Sequence, residues 1–315
     1  MLSLWKKQLY RGWRAALVPA ANETGLAVVH KRKGEKPVLQ HCGIYPSIEI
    51  KAEHVLSAML QSRRLARTPV SGVIAADDYQ LVQVEAPQVP AAEVRAAVRW
   101  KLREVITFPV EEAVVDVFGL PAPSRHAHAT MVVAVAARNT AVQRLVTVIA
   151  PRAPCFDIVD VPELCLRNLC AVLPQDERGV ALLALSENFA HLLLTRAGVL
   201  YLTRRIDLSR ESIQRAQGGE QSSEISAASL ALELQRSLDY YESFYDQPSI
   251  TDLVLAPADA RTRKLAATLA SETSLQVEVF DPEQLFRIAD DIEIDTRWNG
   301  LIALGAALRS DSAEV

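Results

Sequence analysis

Glycine is scarce in this 315-residue sequence: there are 12, about 4% where globular chains use about 7%. Folds that hold phosphate on bare backbone need glycine at fixed turns, because a side chain there blocks close approach or forbids the backbone angle. The shortage counts against an active nucleotide enzyme before any motif is read. Long apolar runs are missing too. The longest, Ala129–Ala137, ends at Arg138, well short of the roughly 20 residues that span a bilayer. Positive charge is not in excess, since 34 Lys and Arg stand against 38 Asp and Glu for a net charge of −4. That is the wrong sign for a surface that neutralises nucleic-acid phosphates. Cysteines number only four, Cys42, Cys155, Cys165 and Cys170. No secretory signal accompanies them, so reduced thiols in a cytosolic chain are the expectation. The patterns GxxxxGK and GxGxxG are absent, as is a serine elbow.

What remains is ordinary globular material, 50% hydrophobic and 23% charged, long enough for about two domains. Met1–Arg14 alternates aromatic with basic residues, and Trp5, Lys6, Lys7, Arg11 and Trp13 suit peripheral contact with an anionic membrane surface or packing on the domain behind them. Strand patterns follow near Ala15–Val18, Gly25–His30 and Val38–Tyr45, then a helix over Ala52–Arg67. Short strands at Ser71–Ala75 and Gln80–Val84 lead to a helix from Ala91 to about Ile106, and Ala113–Gly119 and Met131–Ala136 read as strands before a helix from Thr140 to Ala150. The second half repeats the opening: strands at Val180–Leu185, Ala190–Arg196 and Val199–Ile206, the polar linker Arg215–Glu224, and a long amphipathic helix over Ala227–Tyr245. A strand at Asp252–Ala256, a helix at Ala260–Ala270, a strand at Leu275–Phe280 and a helix around Asn299–Leu308 finish the chain. Two halves, each opening on a three-strand meander, fit a duplicated mixed α/β fold better than a doubly wound dinucleotide fold.

Several stretches resemble one family. Val98–Pro109, with the residues VRWKLREVITFP, resembles the RWE…IPFP segment of the PilM family of type IV pilus biogenesis proteins, and Glu112 and Asp116 fall where that family has its DEVVLDY pattern. Ala134–Arg138 is similar to VAARK. Leu232–Tyr241, LELQRSLDYY, is the nearest match and resembles the MshI branch that serves MSHA-type pili. Val277–Pro282 and Leu304–Arg309 complete a resemblance that runs along nearly the whole chain.

The resemblance implies a duplicated actin-like (ribonuclease-H-like) α/β fold with an inserted small α+β subdomain. Residues 1–14 would be a leader, 15–84 the first half, 85–154 the insert, 155–178 the return to the first half and 179–315 the second half. It further implies a cytoplasmic scaffold, peripheral at the inner membrane, that binds the N-terminal tail of a PilN- or MshJ-like protein in a groove beside the insert, along with other platform proteins. An actin-like ATPase with unconventional residues is the alternative. A GspL-like secretion component is another, set back because no transmembrane helix follows Leu308.

The nucleotide part of the pattern fails at three places. Where relatives carry G-x-D-x-G, this chain has Pro19 in place of the acid and Ala21 in place of glycine. Where they carry D-I-G-x-x-x-T, it has Ala184 and Ser186. Where they carry S-G-G, it has Ala256, Pro257 and Ala258. Losing an acid beside the metal and glycine beside the phosphate each removes binding energy. The expectation is therefore a pseudo-ATPase with no cofactor, no metal and no catalytic residue.

On the helix beginning at Ala91, the stripe Val94, Val98, Leu102 and Val105 reads as core. Trp100 falls away from that stripe, with Arg99 and Arg103 one turn apart beside it, which is the composition of a recognition surface; packing on a neighbouring subdomain is the plainer reading. By analogy Phe108 and Pro109 would form an apolar wall of the same groove. Cys165 and Cys170 lack the spacing of a zinc site, His126 and His128 lack a third ligand, and the acidic run Asp290, Asp291, Glu293 and Asp295 lacks the glycine of a calcium loop. Buried thiols, a solvated loop and a solvated edge are expected there.

Overall fold

Continuous apolar runs such as Ala15–Val18 and Leu26–Val29 are buried on both faces, the mark of strands at the centre of a covered sheet. The computed structural model describes residues 12–46, 68–122, 130–151, 153, 155–208, 227–290 and 292–310. The leader up to Arg11, the expected helix Ala52–Arg67, the His126 and His128 loop and the linker Arg215–Glu224 lie outside the described residues. The chain divides into two units, one of residues 1–79, 137–165 and 282–312, the other of residues 80–136, 166–281 and 313–315.

The first unit is built on a six-stranded sheet. Strands β1 (Trp13–Pro19), β2 (Glu23–His30) and β3 (Val38–Pro46) form an antiparallel meander. Strand β4 (Val70–Val73) runs parallel to β1, and β8 (Phe156–Asp160) parallel to β4. From late in the chain, β14 (Arg287–Ile288) joins beside β3, giving the order β14-β3-β2-β1-β4-β8. Helix α2 (Asn139–Ile149) sits over β4, where Gly72 leaves room for Leu145, Ile149 and Phe156. Helix α7 (Trp298–Ala307) is almost wholly buried and lies so close to β2 that a Cβ on Gly25 would collide with the Asn299 carbonyl. Arg14, itself buried, pairs with Asp157 at 3.0 Å and donates to Ser71 at 3.1 Å. Arg309 pairs with buried Asp160 at 2.7 Å. Sequence periodicity gives no sign of β8, because five residues carrying two aspartates look like a loop until these arginines neutralise them.

The second unit contains a three-stranded and a five-stranded sheet. In the smaller, β5 (Tyr79–Glu85), β7 (Met131–Arg138) and β6 (Ala113–Gly119) lie in the order β5-β7-β6. Helix α1 (Ala91–Leu102) covers one face, with Val98 and Leu102 set among Val115, Val117, Ala134 and Ala136. The larger sheet runs β11 (Val199–Asp207), β10 (Phe189–Arg196), β9 (Val180–Leu185), β12 (Asp252–Ala256) and β13 (Gln276–Val279). Helices α4 (Ala227–Tyr245) and α5 (Ala260–Glu272) cover it through Leu234, Leu238, Tyr241 and Leu269. Its strand pattern, a meander followed by parallel strands beside the meander's first member, repeats that of the six-stranded sheet. The β10–β11 hairpin turns on Ala197 and Gly198, both at positive φ, as a two-residue hairpin requires. Asp176 holds that turn by accepting from the Gly198 N–H and the Thr195 hydroxyl.

Candidate functional site

The three degenerate turns sit at strand ends. Pro19 closes β1, paired with Thr24, and Ala21 is exposed in the turn that follows, where the Ala20 N–H donates to the Glu23 carbonyl at 2.8 Å. Glu23 is the carboxylate beside this turn, and its Oε1 accepts from Asn299 Nδ2 at 2.7 Å. Ala184 is buried in β9 and pairs with both His191 and Ala256. In the next turn the Ser186 N–H donates to the Phe189 carbonyl, the Asn188 carbonyl accepts from Leu208, and the Ser186 carbonyl accepts from Arg261 at 3.4 Å. Pro257, buried after β12, has no N–H to offer. A magnesium nucleotide asks these turns for free backbone donors and a metal-facing acid. They present instead two prolines, two alanines and two N–H groups, of Ala20 and Ser186, already bonded within their own turns. Arg261 and Arg205, the latter 4.2 Å over the Phe189 ring, escaped the sequence reading, since nothing in their spacing joins them to that turn.

Around α1 the structure separates the expected groove residues into two kinds. Trp100 is 69% exposed, with the Arg103 guanidinium 4.5 Å above its ring in a cation–π contact. Arg103 also reaches Glu111 at 3.3 Å. Pro109 is exposed at the start of a short 3-10 turn, Val110–Glu112. All three are exposed. Phe108 is not. It is only 7% exposed and packs with Ile106 and Val110 inside the core cluster, so the expectation of a groove wall there is corrected. Arg99 is half-buried and its guanidinium donates to the carbonyls of Ala113 and Val110, which ties down a strand end instead of offering a free charge. Val105, read as core, is 55% exposed. The helix stops at Leu102 and closes in a tighter turn, with the Val105 N–H on the Leu102 carbonyl, so the 100° rotation per residue no longer carries Val105 inward.

Of the remaining candidates, the four cysteines and Asp290, Glu293 and Asp295 lie within the described residues. All four cysteines are buried, and burial pushes the Cys42 and Cys170 thiols up to about 12, far from a reactive thiolate. In the acidic run, Ile294 bridges to Cys42 beside the six-stranded sheet. Burial alone would raise the Asp295 carboxyl, but hydrogen bonds and charge from Arg297, at 2.7 Å, hold it below its ordinary value.

No protein-family model matches this chain, and no curated protein matches it. Among solved structures it is similar to the PilM-PilN type IV pilus biogenesis complex, at 21% identity over 94% of this chain and 97% of that one, with a TM-score of 0.63. The fold is actin-like. Weaker likenesses are to a Bacteroides thetaiotaomicron protein of actin-like ATPase fold (10% identity, 86% of this chain and 92% of that one, TM-score 0.48) and to the cytoplasmic domain of EpsL, an inner membrane component of the Vibrio cholerae type II secretion system (11%, 95% and 96%, 0.48). Within the actin-like fold, the two meander-led sheets are the duplicated halves, and the three-stranded sheet with α1 is the small α+β addition. Among the described residues no helix is long and apolar enough to cross a membrane.

Proposed function

We propose that this chain is a non-catalytic scaffold of a type IV pilus platform, of the MSHA type, which binds the N-terminal cytoplasmic tail of a PilN- or MshJ-like inner-membrane protein. Exposed Trp100, within a stretch that resembles the family's RWE…IPFP segment, is the observation that carries the reading. A tryptophan left 69% in water gains most of its burial free energy only when something covers it. Arg103 lies against its ring, and Pro109, further along the same stretch, is exposed as well. The scaffold works at the cytoplasmic side of the inner membrane, held there by its partner and by the basic, aromatic leader.

A synthetic peptide of the partner's cytoplasmic tail, titrated by calorimetry, binds wild type, and Trp100→Ala weakens the affinity at least tenfold, about 1.4 kcal/mol. Equal affinity for both proteins removes Trp100 from the contact.

The degenerate turns make a second expectation. Millimolar Mg-ATP moves the thermal midpoint by less than about 1 °C, because a ligand that binds only the folded state must stabilise it by mass action. A rise of several degrees restores the ATPase reading.

A further inference from the structure

Among the described residues no strand pairs with the outer edge of β6, and two arginines of α1 reach across that edge. The Leu120 N–H donates to the Met131 carbonyl of the neighbouring β7. Since backbone groups alternate sides along a strand, the even-numbered residues of β6 face β7 and the odd-numbered ones face outward. Two other bonds agree with this. The Ala113 carbonyl accepts from Arg99 at 2.9 Å, and the Val117 N–H donates to the Asp116 carboxylate at 3.0 Å. Neither group is turned toward β7.

Arg95 supplies the rest. It lies on α1, which packs on the face of β6 that carries Ala113, Val115 and Val117. Asp116 alternates with these and points to the opposite face. Arg95 nevertheless reaches Asp116 at 2.9 Å, so the ion pair passes around the outer edge of the strand. Arg95 and Arg99 are four residues apart, one turn of α1, and both bend over the same edge.

We infer that Arg95, Arg99 and Asp116 close the β6 edge against strand pairing, and that the partner they exclude is β6 of a second copy of this chain. A free edge built of Val114, Val115, Val117 and Phe118 has the β-propensity and apolar character that invites edge-to-edge association, and an inserted charge that covers the edge is a general way to prevent it. Asp116 is the one charge in Ala113–Gly119. A partner of this subdomain is thereby directed to the side chains of α1 and kept from adding a strand.

The test uses the full chain with Arg95→Ala and Asp116→Ala together. Both side chains are about two-thirds exposed, and Arg99 is left in place to hold Val110 and Ala113. Sedimentation velocity is expected to show a mass that rises with concentration to twice the wild-type value, and the Val115 and Val117 amides to exchange more slowly as concentration rises. Arg95→Lys with Asp116→Glu, which keeps the ion pair, stays at the wild-type mass. A folded double-alanine variant, by far-UV circular dichroism, that matches wild type in mass and in exchange of these amides overturns the inference. So does association in which Val115 and Val117 exchange as in wild type.

Discussion

Replacing Gly305 by alanine is expected to destabilise the protein by about 3 kcal/mol, although alanine favours a helix over glycine by about 1 kcal/mol. The two contributions have opposite signs, and geometry decides between them. Gly305 lies in α7, and a Cβ built on it would overlap the backbone carbonyl of Cys165, at the start of α3 (Pro162–Cys170). A side chain can rotate out of the way; a backbone carbonyl inside a helix cannot. Its neighbours Leu304 and Ala306 are fully buried, so α7 has no solvent side toward which to shift. Gly25→Ala repeats the experiment from the sheet, where the obstacle is the Asn299 carbonyl. Thermal unfolding should show a midpoint lowered by the order of 10 °C for either variant. A midpoint at or above that of wild type would mean that helix propensity governs and that α7 sits farther from its neighbours than described.

The second large effect is a loss of stability in acid that traces to one histidine. His191 in β10 is 1% exposed, and burial, then the charge of Arg205, lowers its pKa to about 4. In the unfolded chain it titrates near 6.5. Between these values the unfolded state takes up a proton that the folded state refuses. Stability is therefore fully present above pH 6.5 and falls as pH drops toward 4. At 1.36 kcal/mol per pH unit the loss reaches about 3 kcal/mol by pH 4. Other groups titrate in acid too, so the comparison is with His191→Leu. Urea unfolding measured from pH 7 to 4.5 should give the variant a slope shallower by close to one proton between pH 5 and 6.5. Equal slopes in the two proteins would mean that His191 takes up its proton in the folded state as readily as in the unfolded one.

Much of the architecture is legible in the sequence, because strand and helix patterns are local. Periodicity places β1 to β3 and β9 to β11 within a residue or two of their limits, and the Ala197-Gly198 turn announces its hairpin. The limits fail where the controlling contact is distant. Strand β8 is invisible until Arg14 and Arg309 meet Asp157 and Asp160. Helix α1 stops four residues early because Ile106 and Phe108 turn into the sheet's core.

The candidate site divides in the same way. Trp100 stands out in sequence because an aromatic residue off an apolar stripe is a local signal. Phe108 carries none that separates a groove wall from a core residue. Arg99 reads in sequence as a recognition charge but braces a strand end, and Arg95, which reaches over the same strand to Asp116, carries no sequence signal of its own. The i to i+4 spacing of the two arginines was readable, but what they reach across to was not.

The sequence by itself determined the duplicated order of strands and helices and the loss of glycine and acid at three turns, since both are properties of residues close together along the chain. Only the tertiary structure decided which of those residues face water. It returned Arg287–Ile288 and α7 to the first sheet, seated Gly25 and Gly305 against carbonyls far away in the chain, and bent two arginines over the edge of β6. Burial and backbone contact are set by what arrives from elsewhere in the chain, and no local pattern encodes that.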